Sequence, residues 1–357
     1  MTDTMTRFIV AKIIIFYLCA MKTNINLQAY NSCGFPGTAK YFVEINDARE
    51  LERLFRMPEY KNEKRLILSG GNNILFTDSF FDGLVILMNN IGIKTVTDEG
   101  DTVIVRAQAG EDWPEFVKKM VEKGLYGIEN LAHIPGKVGA APVQNIGAYG
   151  MELKDSFLKC EAIHLETGRK RIFDNKECVF GYRSSIFKTM LKGQYLITSV
   201  DFRLSKQADL KLDYGNIRSY LNEHGMTNPT LQQLHNAICA IRDAKLPDPK
   251  VIGNAGSFFK NPVIKAEQFE TLQQQYPEMP HYDEPDGKVK VPAGWLIEHA
   301  GWKGWHDEHV GVYEKQALVL VHYGGGKAQD VVDLAIKIQK SVKEKFGIEI
   351  APEVNYI

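Results

Sequence analysis

Short apolar runs bounded by glycine and polar residues alternate with amphipathic segments through most of the chain. Three such runs predict strands: 65–68, which we expect to be buried, 84–87 and 103–105. The first run ends at a turn rich in glycine and asparagine, after which apolar residues resume at 74–76. Segment 112–123 predicts a helix, because its large apolar side chains recur at helical spacing: Trp113, Phe116, Val117 and Met120. The middle of the chain therefore predicts short strands interleaved with helices.

The C-terminal part shows the same alternation, with a glycine loop between a strand and a helix. Residues 317–321 are fully apolar and predict a strand. After the loop 324–326, five apolar residues share one helical face: Val331, Ala335, Ile338, Val342 and Phe346. Asp330 is placed to cap the start of this helix, and Gly347 follows its end. Lys327 is followed by alanine, so the GxxxxGK(S/T) spacing is absent and no nucleoside triphosphate site is predicted.

Length and charge narrow the classes of function. A chain of 357 residues is long enough for two or three domains, and its apolar fraction of 44% and charged fraction of 24% are typical of a soluble globular protein. The 43 basic and 44 acidic residues give a net charge of −1. Because no basic excess is present to neutralise a phosphate backbone, we do not expect nucleic acid as a partner. A few well-placed basic residues can still serve a phosphorylated ligand.

The cysteines are scattered and contain no CxxC pair. They are five in number: Cys19, Cys33, Cys160, Cys178 and Cys239. An odd, dispersed set favours reduced thiols in a cytoplasmic protein over a disulfide framework or a zinc site. We expect each cysteine to act as a small buried hydrophobic residue.

One segment, His306-Asp307-Glu308-His309, has the composition of half a metal site. Two histidines three residues apart can share a helix face, but the glycines at 301, 304 and 311 indicate a loop instead. No second cluster completes a ligand set. Solvated loop charge is the favoured interpretation, and no metal is predicted.

The N-terminus departs from the rest of the chain. Residues 8–20 are apolar apart from Lys12, have the length of a signal-peptide core, and are too short to span a bilayer as a helix. No small-x-small cleavage site follows, and a polar segment begins at Met21. This pattern indicates that residues 1–20 are an upstream extension. An export signal and a packed N-terminal element are the alternatives. No other stretch approaches membrane length, so we do not expect a membrane partner.

Two glycine-rich segments, 69–73 and 135–150, are candidates for binding an anion. Small residues at this density allow the backbone to approach a ligand and to direct N–H groups at a pyrophosphate. A pair of tight turns is the alternative, and for the first segment the two interpretations are equally compatible with the residues. The second segment carries almost no charge, which is unusual for a surface loop. Neither contains GxGxxG, so a Rossmann domain is not supported.

Two further segments contain polar residues suited to catalysis. Arg183 lies among apolar and aromatic residues at 180–187 and is a candidate clamp for a carboxylate or phosphate, although a structural ion pair is the commoner role of such an arginine. Ser257 follows a Pro- and Gly-rich stretch. A nucleophile elbow would require glycines at 255 and 259, which are absent. A proton-donating or ligand-binding serine is therefore favoured over one that forms an acyl intermediate.

Taken in order, five segments resemble the UDP-N-acetylenolpyruvoylglucosamine reductase (MurB) family. They are NIGAYG at 145–150, FGYRSSIFK at 180–188, KLPDPK at 245–250, GNAGSFFKNP at 253–262 and PEV at 352–354. The resemblance extends from about residue 31 to residue 357, and the segments around Arg183 and Tyr282 are similar to its type I branch. It implies an α+β fold: a two-part FAD-binding domain of the vanillyl-alcohol-oxidase (PCMH) type plus a smaller α+β substrate-binding domain.

The resemblance also implies where these parts lie. Residues 21–91, joined by 346–357, would form the first FAD-binding subdomain, and 92–243 would form the second. Residues 244–345 would form the substrate-binding domain, while 1–20 would remain an extension.

The activity implied by the resemblance is NADPH-dependent reduction of UDP-N-acetylglucosamine enolpyruvate to UDP-N-acetylmuramate through non-covalent FAD, in peptidoglycan precursor synthesis. Ser257 would be the general acid, with Arg183 and Glu353 polarising the substrate. Nine residues would contact FAD: Gly70, Gly71, Asn72, Asn73, Gly139, Ala140, Ala141, Gly147 and Ala148. Seven would hold the UDP-sugar: Tyr182, Tyr214, Lys245, Asn261, Tyr282, Lys303 and Gln316. Asn355 stands where the family often has arginine, which puts one secondary contact in doubt. The protein is expected to be a cytoplasmic monomer.

Two other functions compete with this one. An FAD-dependent oxidase of a hydroxy acid or sugar on the same fold fits the glycine-rich segments equally well, but not the segments 245–250 and 253–262. A non-catalytic module that binds a nucleotide sugar or a flavin is disfavoured, because all three candidate catalytic residues are present in matching contexts.

Overall fold

The computed structural model describes residues 21–55 and 57–357, so Cys19 and the apolar segment 8–20 lie outside the described part. The chain divides into two compact units. The first is drawn from 21–26, 38–70 and 80–241, and the second from 27–37, 71–79 and 242–357. The finer division into two FAD-binding subdomains and a substrate-binding domain stays a prediction.

Short strands alternate with helices along the described chain, as the apolar pattern predicts. The strands are β1 Lys22–Asn26, β2 Thr38–Ile45, β3 Arg65–Leu68, β4 Ile74–Leu75, β5 Phe80–Met88, β6 Ile93–Glu99, β7 Thr102–Gln108, β8 Gly147–Ala148, β9 Met151–Glu152, β10 Phe157–His164, β11 Lys170–Asp174, β12 Tyr195–Ser205, β13 Gly253–Ser257, β14 Val263–Lys265, β15 Tyr282–Glu284, β16 Lys288–Lys290, β17 Val310–Val312, β18 Val319–His322 and β19 Asn355–Tyr356. The α-helices are α1 Arg49–Leu54, α2 Trp113–Glu122, α3 Ile217–Glu223, α4 Leu231–Lys245, α5 Ala266–Gln275, α6 Ala293–His299 and α7 Ala328–Phe346.

The first unit contains two main sheets. One has the order β1-β2-β5-β3, in which β2 and β3 both run parallel to β5. Residues 84–88 of β5 are buried without alternation, as expected for a strand covered on both faces. The other sheet is antiparallel, with the order β11-β10-β12-β7-β6. The strands predicted at 65–68, 84–87 and 103–105 are confirmed as β3 and as parts of β5 and β7.

Helix α2 covers the antiparallel sheet of the first unit. The Asp112 side chain accepts the Glu115 N–H at 3.1 Å and caps the helix start. The four predicted apolar positions are fully buried, and the ring centroids of Phe116 and Phe202 on β12 lie 4.8 Å apart. The helix predicted over 112–123 is thus confirmed, with its apolar face forming part of the largest core cluster.

The second unit has two three-stranded antiparallel sheets, β13-β18-β17 and β14-β16-β15, and a parallel pair of β4 and β19. Helix α7 buries the predicted apolar face. Asp330 accepts the Lys327 N–H at 2.7 Å, and Gly347 ends the helix at φ 65°. The strand predicted over 317–321 is observed two residues later, as β18, because residues 316–319 form a turn in which the Val319 N–H donates to the Gln316 carbonyl.

The four described cysteines carry thiols and form no disulfide. Cys33, Cys160 and Cys178 are buried, as predicted, whereas Cys239 is only half-buried. Burial raises the pKa of the Cys33 thiol to about 12, so this thiol stays protonated at neutral pH. In the described residues, no helix is both long and apolar enough to cross a membrane.

Candidate active site

The glycine-rich turn 69–73 follows β3 and requires glycine at its centre. Gly71 has φ 65°, in the left-handed region. A Cβ atom there would overlap the Tyr30 carbonyl oxygen and lie 2.9 Å from the Asn31 Cα atom. The Ser32 N–H donates to the Gly71 carbonyl at 3.0 Å. The turn is therefore packed directly onto the backbone of residues 30–32.

The second glycine-rich segment lies against the end of β7 in the first unit. The Gly139 N–H donates to the Ala109 carbonyl at 2.9 Å, and a Cβ atom on Gly139 would lie 2.5 Å from the Ala109 Cβ atom. Lys137, the one charged residue of 135–150, donates to Asn89 Oδ1 at 2.8 Å. Burial lowers the pKa of this amine. The following residues, through Ala148 of β8, present backbone and small side chains.

Each of these two segments has the residue composition to fit a phosphate of a dinucleotide such as FAD. The Ser69 hydroxyl is buried and makes no hydrogen bond among the described residues, so it remains available to a ligand. Residues 70–73 and 139–141 supply glycine, alanine and asparagine, which add no negative charge to repel a phosphate. The nine predicted FAD contacts lie in these two segments and in β8.

A tight turn of the first unit carries Arg183. Gly181 and Ser184 exchange two backbone hydrogen bonds, each of 3.1 Å, around Tyr182 and Arg183. Arg183 adopts φ 51°, which is uncommon for a residue other than glycine or asparagine. Its guanidinium donates to the Gly147 carbonyl at 2.9 Å. The arginine is thereby joined to the predicted cofactor segment of the same unit.

Two buried polar side chains hold this turn. Asn145, at φ 46°, donates from Nδ2 to the Gly181 carbonyl at 3.1 Å and accepts the Lys154 N–H at 3.0 Å. The Ser185 hydroxyl donates to the Val143 carbonyl at 2.6 Å. Sequence reasoning missed both residues as supports of Arg183. The only signal was the asparagine of NIGAYG, since asparagine tolerates positive φ better than most residues.

Ser257 is the last residue of β13 in the second unit. Its side chain is exposed, whereas Phe258 and Phe259 next to it are each 1% exposed. The register of β13 against β18 shifts between Asn254 and Ser257. The buried pair of rings therefore anchors the strand end while the hydroxyl faces outward.

The Glu353 backbone is hydrogen-bonded to Phe258, the residue that follows Ser257. The Glu353 N–H donates to the Phe258 carbonyl at 2.8 Å, and the Phe258 N–H donates to Leu318 at 2.7 Å. The Glu353 carbonyl accepts Asn73 Nδ2 at 3.4 Å. Glu353 thus bonds both to Phe258, which directly follows β13, and to Asn73 of the glycine-rich turn in the same unit. Glu353 is 9% exposed.

Asn355, the departure from the family pattern, joins the same network. Its backbone N–H and its Nδ2 both donate to the Asn73 carbonyl, at 3.1 and 3.0 Å. An asparagine here secures the turn 69–73, which carries four of the predicted FAD contacts.

The predicted substrate residues of the second unit fall into two groups. Three are held by neighbours: Asn261 Oδ1 accepts the Ala293 N–H at 2.9 Å, Lys303 pairs with Glu298 at 2.8 Å, and Gln316 Oε1 accepts the Leu318 N–H at 3.4 Å. The other two are at the ends of elements. Tyr282 opens β15 and is 38% exposed, and Lys245 ends α4.

The two predicted substrate tyrosines of the first unit lie near the glycine-rich segment or the arginine turn. Tyr182 is beside Arg183, whose guanidinium carbon lies 5.7 Å from the centre of its ring. Tyr214 is 39% exposed and packs against Gly150, where a Cβ atom would lie 3.3 Å from the tyrosine Cβ.

The segment His306–His309 adopts the predicted loop rather than a helix. Asp307 accepts the N–H groups of Val310 and His309 at 2.8 and 2.9 Å, and these bonds lower the pKa of its carboxyl. No group of three or more metal-ligating side chains occurs within 21–55 and 57–357.

Comparison with known proteins decides the family. The "UDP-N-acetylenolpyruvoylglucosamine reductase, C-terminal domain" family matches residues 248–357, and the "FAD binding domain" family matches 39–171. The reductase of that name from Flavobacterium johnsoniae is 45% identical, with 94% of this chain and 99% of the relative covered. Its counterpart from Chromobacterium violaceum is 46% identical, with coverages of 93% and 97%.

The chain belongs to the UDP-N-acetylenolpyruvoylglucosamine reductase family. The crystal structure of the reductase (MurB) from Thermus caldophilus covers 94% of this chain and 99% of its own, with a TM-score of 0.65 at 22% identity, and so shows the same fold. The predicted family and the α+β fold of the FAD-binding type are confirmed.

The two matched family ranges contain most of the predicted site residues. The predicted cofactor contacts lie within 39–171, and Ser257 and Glu353 lie within 248–357. Arg183 lies in neither range. Family support for Arg183 therefore comes from the similarity to the reductases over nearly the whole chain.

Proposed function

We propose that this protein reduces UDP-N-acetylglucosamine enolpyruvate to UDP-N-acetylmuramate in peptidoglycan precursor synthesis, with FAD as its bound cofactor and NADPH as the hydride donor. Family membership and the FAD binding domain support the assignment. The observation that carries it is the 2.8 Å hydrogen bond from the Glu353 N–H to the Phe258 carbonyl. That bond fixes the backbone of Glu353 beside the residue that follows the candidate general acid.

Bound FAD supplies the hydride transfer that amino-acid side chains cannot perform. The protein residues then control charge and protons. Negative charge develops on the enolpyruvyl group and its carboxylate as hydride arrives, and the Arg183 guanidinium stabilises it. Ser257 donates its hydroxyl proton to the resulting carbanion, and Glu353 orients and polarises the enolpyruvyl group of the substrate.

The remaining assignments belong to the same proposal. Ser69 and the glycine-rich segments hold the FAD pyrophosphate, while the seven predicted substrate residues hold the UDP-sugar. We assign the protein to the cytoplasm as a monomer, in keeping with its reduced cysteines and balanced charge.

Separating the two half-reactions tests this function. In the Ser257→Ala holoenzyme, flavin reduction by NADPH should stay nearly normal, whereas reoxidation by the enolpyruvyl UDP-sugar should slow at least ~10²-fold, since only the second half-reaction needs the serine proton. Anaerobic stopped-flow absorbance at the flavin band measures both rates.

Ser219→Ala is the matched control, because Ser219 is exposed and its hydroxyl donates to Glu223 at 3.0 Å in the first unit. Equal slowing of both half-reactions in Ser257→Ala would remove Ser257 from the proton-donating role. Wild-type flavin that recovers only with air would instead indicate an oxidase, and a purified protein without flavin would indicate a binding module.

A further inference from the structure

Strand β13, which ends at Ser257, has one open edge. The order β13-β18-β17 pairs it with β18 on one side only. An edge strand presents backbone N–H and C=O groups that need other partners. At Asn254, which faces Val321 in the register, Ser32 supplies both partners. The Asn254 N–H donates to the Ser32 carbonyl at 3.0 Å, and the Ser32 hydroxyl donates to the Asn254 carbonyl at 2.6 Å.

Of the two hydrogen-bond donors of Ser32, the hydroxyl is the one that bonds to the Asn254 carbonyl. The backbone N–H of Ser32 is already committed to the Gly71 carbonyl at 3.0 Å. The hydroxyl also lies 3.2 Å from the Gly71 carbonyl oxygen, but it carries one proton, and the shorter distance identifies Asn254 as the acceptor. Ser32 therefore bonds to the glycine-rich turn 69–73 through its backbone N–H, and to β13 through both its backbone carbonyl and its hydroxyl.

The packing on both sides of Ser32 leaves little room for adjustment. Gly71 meets the backbone of Tyr30 and Asn31, as described above. On the other side, a Cβ atom on Gly253 would lie 3.0 Å from the Cys33 carbonyl carbon and closer still to its oxygen. Segment 30–33 is thus wedged between the turn and β13, so a displacement of one is transmitted to the other.

Asn254 in turn controls the strand irregularity that precedes Ser257. Its Nδ2 donates to the Ile252 carbonyl at 2.9 Å, and its Oδ1 accepts the Gly256 N–H at 3.0 Å. The register shift lies between Asn254 and Ser257. The orientation of the 254–255 peptide therefore sets the direction in which the serine leaves the strand.

We propose that Ser32 is a positioning residue for the general acid: its hydroxyl fixes the Asn254 peptide and so aims Ser257. The inference rests on the proposed function of Ser257. It assigns to Ser32 no contact with substrate or cofactor.

The test compares three forms of the FAD-loaded full chain: wild type, Ser32→Ala and Ser32→Thr. In Ser32→Ala, substrate-driven flavin reoxidation should slow about 10-fold, the rate equivalent of one lost buried hydrogen bond, while reduction by NADPH changes less than about 2-fold. Ser32→Thr retains the hydroxyl and should restore the rate. The solvent deuterium isotope effect on reoxidation should rise in Ser32→Ala, because protonation becomes slower.

A double variant separates positioning from general stability. If Ser32 acts through Ser257, then Ser32→Ala combined with Ser257→Ala should reoxidise as slowly as Ser257→Ala alone, because no donor remains to be aimed. Multiplied effects would show an independent role and overturn the proposal. Hydrogen exchange of the peptide covering 253–259 should rise selectively in Ser32→Ala, independently of turnover.

Each further outcome has a defined meaning. A Ser32→Ala enzyme that matches wild type in rate, isotope effect and exchange overturns the positioning role while leaving the proposed function intact. A wild-type enzyme that does not reoxidise with the UDP-sugar overturns the proposed function first, whatever Ser32 does. If Ser32→Ala does not fold, Ser32→Cys provides the same comparison with a weaker donor of similar size.

Discussion

The Arg183 turn of the first unit and the Ser257 strand of the second are held by different means. Side chains hold Arg183: Asn145 bonds to a carbonyl 36 residues away, and Ser185 bonds to one 42 residues away. Segments more distant in the sequence hold the Ser257 strand, including Ser32, which bonds to Asn254 222 residues away through its hydroxyl and its backbone carbonyl. The first arrangement accepts a residue at positive φ, whereas the second leaves Ser257 outside that region.

The difference has an energetic origin. A non-glycine residue at positive φ costs roughly 1–3 kcal/mol and persists only where its surroundings over-determine it. At Arg183 the surroundings are buried hydrogen bonds from Asn145 and Ser185 to the two backbone segments. At Ser257 the neighbouring phenylalanines, β18 and the backbone of Glu353 fix the chain, so the serine itself needs no unusual conformation.

The largest expected effect comes from breaking the backbone packing of the second unit. Gly71→Ala should destabilise the protein by about 3 kcal/mol or more, because it combines positive φ with overlap on the Tyr30 backbone. Urea unfolding and the flavin content after purification measure it. Gly34→Ala is the matched control: Gly34 has φ 74° but open space around a Cβ atom, so about 1 kcal/mol is expected. Equal losses in the two variants would contradict the role given to close packing.

A somewhat smaller effect should follow from removing the side-chain support of Arg183. Asn145→Ala deletes side-chain bonds to Gly181, Lys154 and Glu152 and should cost about 2–3 kcal/mol, with a loss of turnover because the arginine turn is released. Asn175→Ala is the control, since Asn175 also makes two side-chain bonds to backbone carbonyls in the same unit, at 2.8 and 2.9 Å. It should lower stability but leave turnover per folded enzyme unchanged. Unchanged turnover in both variants would separate Asn145 from Arg183.

The smallest expected effect is a difference in how one buried group of each unit makes the free energy of unfolding depend on pH. In the first unit, burial raises the pKa of Glu129 above 4.5. Its contribution to stability is complete below about pH 4.5 and is lost as pH rises through the folded pKa. In the second unit, burial lowers the pKa of His322 below 6.5. Its contribution is complete above about pH 6.5 and is lost as pH falls through the folded value.

The two units should therefore respond to pH in opposite directions. Relative to wild type, Glu129→Gln should gain unfolding free energy as pH rises, and His322→Asn should gain it as pH falls, each by about 1 kcal/mol or less. Urea titrations between about pH 5 and about pH 8 provide the differences. Parallel curves for wild type and either variant would show that the corresponding group does not contribute.

The residues that sequence reasoning identified correctly are those whose environment is local. The apolar spacing of α2 and α7, the Asp330 cap and Gly347 end of α7, and strands β3 and β5 were predicted, because side-chain periodicity and capping act within a few turns. The start of β18 was predicted two residues too early, because the first residues of its apolar run form a turn. The placement of Arg183 and Ser257 in distinctive segments was likewise visible in the sequence.

The residue pattern alone was enough to identify the family, several of the helices and strands, and the candidate catalytic residues. Tertiary structure alone decided that Glu353 bonds beside Ser257, that Ser32 closes the edge of β13, and that Asn145 supports the arginine turn. These contacts join segments separated by many residues, and their entropy of closure is overcome only when whole cores are buried. A polar residue such as Ser32 has no local pattern that identifies its partner, so its role appears only in the folded chain.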